Sequence, residues 1–455
     1  MVYCEKFGPV EKKDLITEFD QMLFEQGKLH ENQVIKAKYP GTEKTKYKSL
    51  EEGFKLLLKG MKNGSSAICG APAFYLPEGL TGIFDVIEKR KGAPSIFGSY
   101  HYVVKEIKLA RNMQNYHIFQ GAFYNYLLGK IQGFTPPAFY LINRDHEELV
   151  MEYDKDRLLE IVGSIREILK GAKVSPTYGA CLWPWETYND EEAIQTRDVS
   201  LVSGIGPSHK KRLSEEKILT VEDLASTSKD NLLTMKGIGE KTATKFLNNS
   251  KALVTNKHIR IGQCTFPAKE TEIFLDLEGT GEQVTEEELV AIDYLIGILV
   301  RKNGEQTYIP FVAHGLDQEE KMFNDFAKWI LKQKEFIIYH WHNYERTHLE
   351  KMSQRHNLSR TKTEKIFENM RDLYKDAVSS FAFPTYGNGL KQIAAYIGHN
   401  WKHKDVNAME SMALYFQYIQ DPVKNKDKLE KIIDYNKDDC VATLMIKDWL
   451  EQQSK

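Results

Sequence analysis

Cysteine is scarce. Five occur in 455 residues (Cys4, Cys69, Cys181, Cys264 and Cys440), an odd number with no CxxC pair. That excludes a disulfide-stapled scaffold and a zinc ribbon, and it fits free thiols in a reducing cytoplasm. Also missing is any run of about 18 uncharged apolar residues, which a membrane-spanning helix would need. The opening MVYCEKFGPVEKKD has no apolar stretch among its charges, so no secretory signal is expected there. Charge of one sign is lacking too: 62 basic against 64 acidic side chains leave a net of −2. On that balance alone, nucleic acid is not the first partner to expect. No GxxxxGKS/T loop occurs, so the chain carries no sign of a P-loop motor.

What is present is globular composition, 42% hydrophobic and 28% charged, with apolar mass for more than one core. At roughly 150 residues per domain, the length predicts about three. Residues 1–178 mix helical and strand patterns. Helices are expected over 10–36 and 47–62, where apolar residues recur three and four apart, as in Leu15, Phe19 and Leu23. Strands are expected over 82–88 and 101–108, joined by a polar turn, KRKGAPSIFGSY. A helix from Gln114, a strand pair over 138–152 and a helix over 155–171 follow. Residues 179–196 read as a connector without a period. Residues 197–258 form a small all-α module, and 266–455 return to an α/β alternation.

The module contains a near-repeat, VSGIGPSHKKRL and MKGIGEKTATKF, offset by 33 residues. Gly204, Gly206, Gly237 and Gly239 allow tight turns. The amides beyond them open helices and can hold a phosphate. Lys210, Lys211, Arg212, Lys241 and Lys245 stand just behind. Residues 197–260 hold 12 Lys/Arg and 7 Asp/Glu, a local excess of +5. That is the footprint of backbone binding; a helical linker with a solvated lysine face is the plainer alternative. The segment resembles the tandem helix-hairpin-helix modules of DNA repair proteins.

In IFLDLEGT, Asp276 and Glu278 are two apart on an expected strand, so they share a face. Far downstream, Tyr435 and Asp439 are four apart on an expected helix and share a face of it. Converging carboxylates of this kind suit two-metal phosphodiester chemistry; each alone could be a surface acid. Cys440 has no histidine in a partnering context, so cysteine catalysis is a poor rival. The combination resembles the DEDDy exonucleases of the ribonuclease H-like fold, and most closely their YprB-like branch. The resemblance implies that Asp276, Glu278 and Asp439 hold two Mg²⁺ or Mn²⁺ ions and that Tyr435 orients water. It implies 3′→5′ action on single-stranded ends. In FIIYHWHNYERTHLEK, Glu345 takes the place of the family's usual Asp, with His340 and His342 before it. Asp372, in RDLYKDAV, is the alternative acid. FPTYGNGLKQIAAYIG resembles the family's helix before its last motif.

At the other end, Asp85 lies on the first hairpin strand, with Glu106 and Lys108 on the second. Two carboxylates can bind a divalent cation, and a lysine beside them can steady phosphorane charge. This skeleton resembles PD-(D/E)XK nucleases. His30 on an upstream helix, and Gln120 and Tyr124 on the following helix, narrow the resemblance to the RecB-like subgroup. There His30 would join the metal site, and the glutamine and tyrosine would line it. A buried core histidine and a surface Glu–Lys pair are the plainer readings. Cys4 is followed by Glu rather than by the Pro of the subgroup, so no iron–sulfur cluster is expected. The domain order resembles a family of RecB-like nucleases. It implies a multidomain α/β chain: a restriction-endonuclease-like (RecB-type) domain, a helix-hairpin-helix module and a ribonuclease H-like domain. The expected partner is nucleic acid, DNA ahead of RNA, with a repair or helicase protein as a further partner and no membrane. A nucleic-acid-binding repair scaffold of weak catalysis and an RNA-directed exonuclease remain the alternatives.

Overall fold

The computed structural model describes residues 1–284 and 289–454. Its N-terminal part is a five-stranded sheet, Ala67–Tyr75, Leu80–Ser95, Gly98–Ile107, Ala138–Ile142 and Glu148–Glu152, in that spatial order. All neighbours are antiparallel except the third and fourth, which run parallel. The helix Asn115–Gln132 makes that crossover and buries Leu127, Leu128 and Ile131 against Phe84, Phe139 and Leu141. Each such side chain contributes about 1.5–3 kcal/mol when fully buried.

Four local expectations change. The helix expected from residue 10 begins at Glu18, because Thr17 and Asp20 close a capping box there. Leu15 is left outside it, 85% exposed. The hairpin strands continue through the polar stretch as far as Ser95 and resume at Gly98. Their register shifts between Lys91 and Ser95, where Gly92 takes φ 110°. The strand Ala67–Tyr75 was hidden by its Gly and Pro, which an edge strand tolerates. The connector carries the helix Glu186–Gln195. Trp185 before it is fully buried, and its Nε1 donates to Glu5 at 2.7 Å.

Residues 198–255 pack two helical hairpins around Val202, Ile205, Leu213, Met235, Ile238 and Phe246. Beyond them, strands Glu305–Val312, Asp293–Lys302, Thr271–Gly279, Phe336–His340 and Met370–Asp372 form the second sheet in that order. The first three are antiparallel, and the last two join in parallel. Alternation along Thr271–Gly279 sends Ile273, Leu275 and Leu277 into a core with Phe323 and Phe326. Phe274 faces the other way, into a second core with Cys440, Leu444 and Ile446 of the helix Lys426–Ser454. Asp276 and Glu278 share the Phe274 face, so the strand itself aims both carboxylates at that helix. Arg111 and Arg144 of the N-terminal part bind Glu282, just past this strand.

Candidate functional site

Oxygens of Asp276, Glu278 and Asp439 all lie within 4.8 Å of one another. Among the described residues this is the one group of three candidate metal ligands. Strand spacing supplies the first two, and the buried face of the helix Lys426–Ser454 supplies Asp439 together with Tyr435. Burial, then the neighbouring carboxylates, hold Asp276 and Glu278 well above the ordinary carboxylate range. Burial pushes Asp439 up to about 6, against the pull of its Trp401 hydrogen bond and of Lys391. Burial and the charge of Asp439 also raise the Tyr435 phenol, so it stays a neutral donor.

Glu345 stands beside this group at the start of the helix Tyr344–Arg355. It is buried, and its charge is felt by Asp276. Its Oε2 is 3.5 Å from His340 Nδ1 and makes no hydrogen bond. Asp372 is occupied otherwise: its Oδ1 accepts from the amides of His342 and Tyr374, both at 3.0 Å, capping the helix Leu373–Ser380. His342 meets it with φ 70°.

Several residues that build the site gave no signal in the sequence. Asn436 Nδ2 donates to Asp276 Oδ2 at 2.7 Å, while its Oδ1 accepts from Tyr308 at 2.7 Å. Trp401 Nε1 donates to Asp439 Oδ1 at 2.7 Å. Lys391 Nζ sits 4.6 Å from the centre of the Tyr435 ring and weakens the repulsion among the three acids. Lys391 does lie in the GLKQIAAYIG run, where a lone lysine among apolar residues was the available clue.

The N-terminal group is assembled differently. Asp85 Oδ2 accepts from the Ile107 amide at 2.8 Å, and Glu106 Oε1 accepts from the Asp85 amide at 3.3 Å. Lys108 Nζ donates to Glu106 Oε2 at 3.1 Å and lies 3.8 Å from Asp85. Burial drives Glu106 far above its usual range. Burial opposes the charge on Lys108, but Glu106 and Asp85 outweigh it and hold the ammonium up. His30 is buried, lowered by that burial and by His146. Its Nε2 has no hydrogen-bond partner. Tyr124 accepts from Gln120 at 3.3 Å and packs edge-on against Phe84, near Lys108.

In the hairpins, Gly204 and Gly237 take φ 94° and 83°, which glycine alone adopts readily. Gly206 and Gly239 cap the helices Pro207–Glu215 and Glu240–Thr255. Lys211, Lys241 and Lys245 are exposed. Lys210 is not: it is buried, and its Nζ binds Asp198 at 2.7 Å, Ser175 at 2.9 Å and the Pro176 carbonyl. This corrects the expectation that Lys210 meets phosphate. The repeat explains it, since 33 residues on stands Ala243, also buried. The equivalent pair Arg212 and Lys245 instead cross over. A Cβ on Gly237 would meet Arg212 Nη1 at 2.6 Å, and one on Gly204 would meet Lys245 Nζ at 3.2 Å.

A model of the RNase_H superfamily matches residues 273–451. One for the SAM-like helix-hairpin-helix tandem matches residues 196–247. No curated protein matches the chain. The chain is thus a multidomain α/β protein with an all-α helix-hairpin-helix module and a C-terminal ribonuclease H-like domain. That pairing points to a nucleic-acid-processing nuclease. No helix among the described residues is long and apolar enough to cross a membrane.

Proposed function

We propose that the C-terminal domain is a metal-dependent exonuclease of the YprB-like DEDDy type, acting on DNA 3′→5′ from single-stranded ends in repair or processing. The observation that carries this is the convergence of half-buried Asp276 with buried Glu278 and Asp439, whose charge one lysine only partly offsets. An all-oxygen set of acids fits Mg²⁺ or Mn²⁺. Glu345, whose Oε2 lies 3.5 Å from His340 Nδ1 and makes no hydrogen bond, would supply a fourth oxygen. When bound, the ions supply Lewis acidity at the phosphate and a water of lowered pKa. Around them, Tyr435 donates its O–H to orient water, Asn436 and Trp401 fix the carboxylates, and Lys391 moderates their repulsion. The hairpins hold phosphates through Lys211, Lys241 and Lys245 and their glycine turns.

The same reading makes residues 1–178 a RecB-like PD-(D/E)XK domain with a second centre. Support comes from the mixed sheet with its parallel crossover, and from the meeting of Asp85, Glu106 and Lys108. Asp85 and Glu106, with the unpaired His30 Nε2, would hold the cation, and Gln120 and Tyr124 would line the site. The test is a Mn²⁺-dependent cleavage panel with Asp276→Ala, Glu106→Ala and the double variant. Asp276→Ala should abolish nucleotide release from 3′ ends. Undiminished release from the double variant would refute the nuclease reading. The Glu345 replacement favours a second reading, a binding scaffold of weak catalysis, which tight DNA binding without cleavage would support. Competition between matched DNA and RNA strands decides the nucleic acid.

A further inference from the structure

A groove of about 690 Å³ separates the second hairpin helix, Glu240–Thr255, from the ribonuclease H-like domain. Lys241, Thr244, Lys245, Asn249, Ile261 and Asn388 line it. We propose that this groove is the track that leads a single nucleic-acid strand from the hairpins to the acid triad. The inference rests on the nuclease reading above and gives its substrate a path.

Four observations converge. The groove is positive: Lys241 and Lys245 make no ion pair among the described residues, whereas its one acid, Glu240, is bound by Lys229. It is continuous with the hairpin turns, because Lys245 reaches over Gly204, and Asn388 donates to Ser203 in the first turn at 3.1 Å. Its wall offers an unspent donor, since Asn249 is buried and its Nδ2 has no partner. Ile261, 44% exposed, adds an apolar surface for sugar or base.

The far end of the groove leads to the chemistry. Asn388 stands three residues before Lys391, so at most about 11 Å of chain separates them. Lys391 already lies over Tyr435 and beside the triad. A strand whose phosphates follow Lys241, Lys245 and Asn388 therefore arrives at the acids within a few nucleotides. Positive grooves with polar walls are how proteins follow single strands without reading sequence.

The test uses the full chain and a fluorescein-labelled oligothymidylate in EDTA, so that binding is read without cleavage. Thr244 is exposed in the groove wall, and Thr244→Glu, which sets a negative charge against the phosphates, should raise Kd about tenfold. Thr244→Lys should lower Kd and steepen its salt dependence, a gain that mere structural damage does not produce. A Kd within about twofold of wild type in both variants overturns the track. Hydrolysis of the p-nitrophenyl ester of thymidine 5′-phosphate with Mn²⁺ reports the acid site alone. Thr244→Glu should lower release from the oligonucleotide by a larger factor than hydrolysis of the ester; an equal loss on both overturns the track. Failure of the wild type to hydrolyse the ester would count against the nuclease reading, and the binding comparison would still decide the groove.

Discussion

Gly297→Ala tests how the acid site is held in place. Gly297 pairs with Asp276 across the sheet. A Cβ there would lie 1.5 Å from Asn436 Oδ1 and 2.8 Å from the Tyr308 hydroxyl. Neither neighbour can step aside without loss. Asn436 is tied to Asp276 and to Tyr308, both at 2.7 Å, on a helix packed against a central strand. Overpacking of this kind costs about 1–3 kcal/mol. Each lost hydrogen bond adds about 0.5–1.5 kcal/mol, and more where a carboxylate is the acceptor. Relief of strand glycine returns about 0.5–1 kcal/mol. The net expectation is a loss of about 2–4 kcal/mol, read by urea titration of the full chain. In an Asn436→Ala background the 1.5 Å clash is gone and the Tyr308 hydroxyl, no longer held by Asn436, can shift, so the same change should cost under about 1 kcal/mol. An equal cost in both backgrounds, or a loss below about 0.5 kcal/mol in the first, would refute the account.

Three further outcomes are expected. Lys210→Met should destabilise the hairpin module by about 3 kcal/mol, because it strands the buried Asp198. It should leave the salt dependence of DNA binding unchanged, whereas Lys241→Glu should flatten that slope by at least about 1; anisotropy titrations at several salt concentrations separate the two. The Asp439 carboxyl, raised when folded to about 6, binds its proton more tightly in the folded state than its unfolded value of about 3.9 allows. The share of metal-free stability that Asp439 contributes should therefore fall by about 2–3 kcal/mol as pH rises from about 4 to about 6, on top of the like-signed shares of Asp276 and Glu278, and Asp439→Asn should make the profile shallower. Identical pH profiles in EDTA would count against it. Lys108→Met should cost about 1–3 kcal/mol by taking the hydrogen bond from the buried Glu106 Oε2. Adding Glu106→Gln should restore most of the loss in the same thermal assay.

What was legible in the sequence was whatever local geometry repeats. Asp276 and Glu278 are two apart, Tyr435 and Asp439 four apart, and these are the periods of strand and helix. Their faces were therefore set before any fold was known. The glycine turns were legible because their backbone dihedrals demand the residue. Lys210 was misread because its charge was judged alone; the 33-residue offset to Ala243 marks the position as inward. Asn436, Tyr308 and Gly297 come from three separate elements and meet only through sheet register and helix docking, so no local period announces them. The false start at Leu15 has a similar cause: apolar spacing continued past a boundary that the Thr17 cap decides.

The two candidate centres also differ in charge, and that difference predicts how each responds to metal. In the N-terminal group, Lys108 lies against both Glu106 and Asp85, and backbone amides satisfy oxygens of each. Such a set is largely compensated without an ion. In the C-terminal group, three acids face one another, Glu345 adds its charge to that felt by Asp276, and Lys391 offsets only part of the repulsion. A cation there relieves repulsion as well as gaining ligands. Mn²⁺ at one hundred times its Kd should therefore stabilise the chain by about 2.7 kcal/mol. Asp276→Asn should remove most of that gain, and Glu106→Gln should remove much less of it. Thermal unfolding with and without Mn²⁺ measures both. A gain that survives Asp276→Asn but vanishes with Glu106→Gln would place the principal metal site in the N-terminal domain and reverse the assignment.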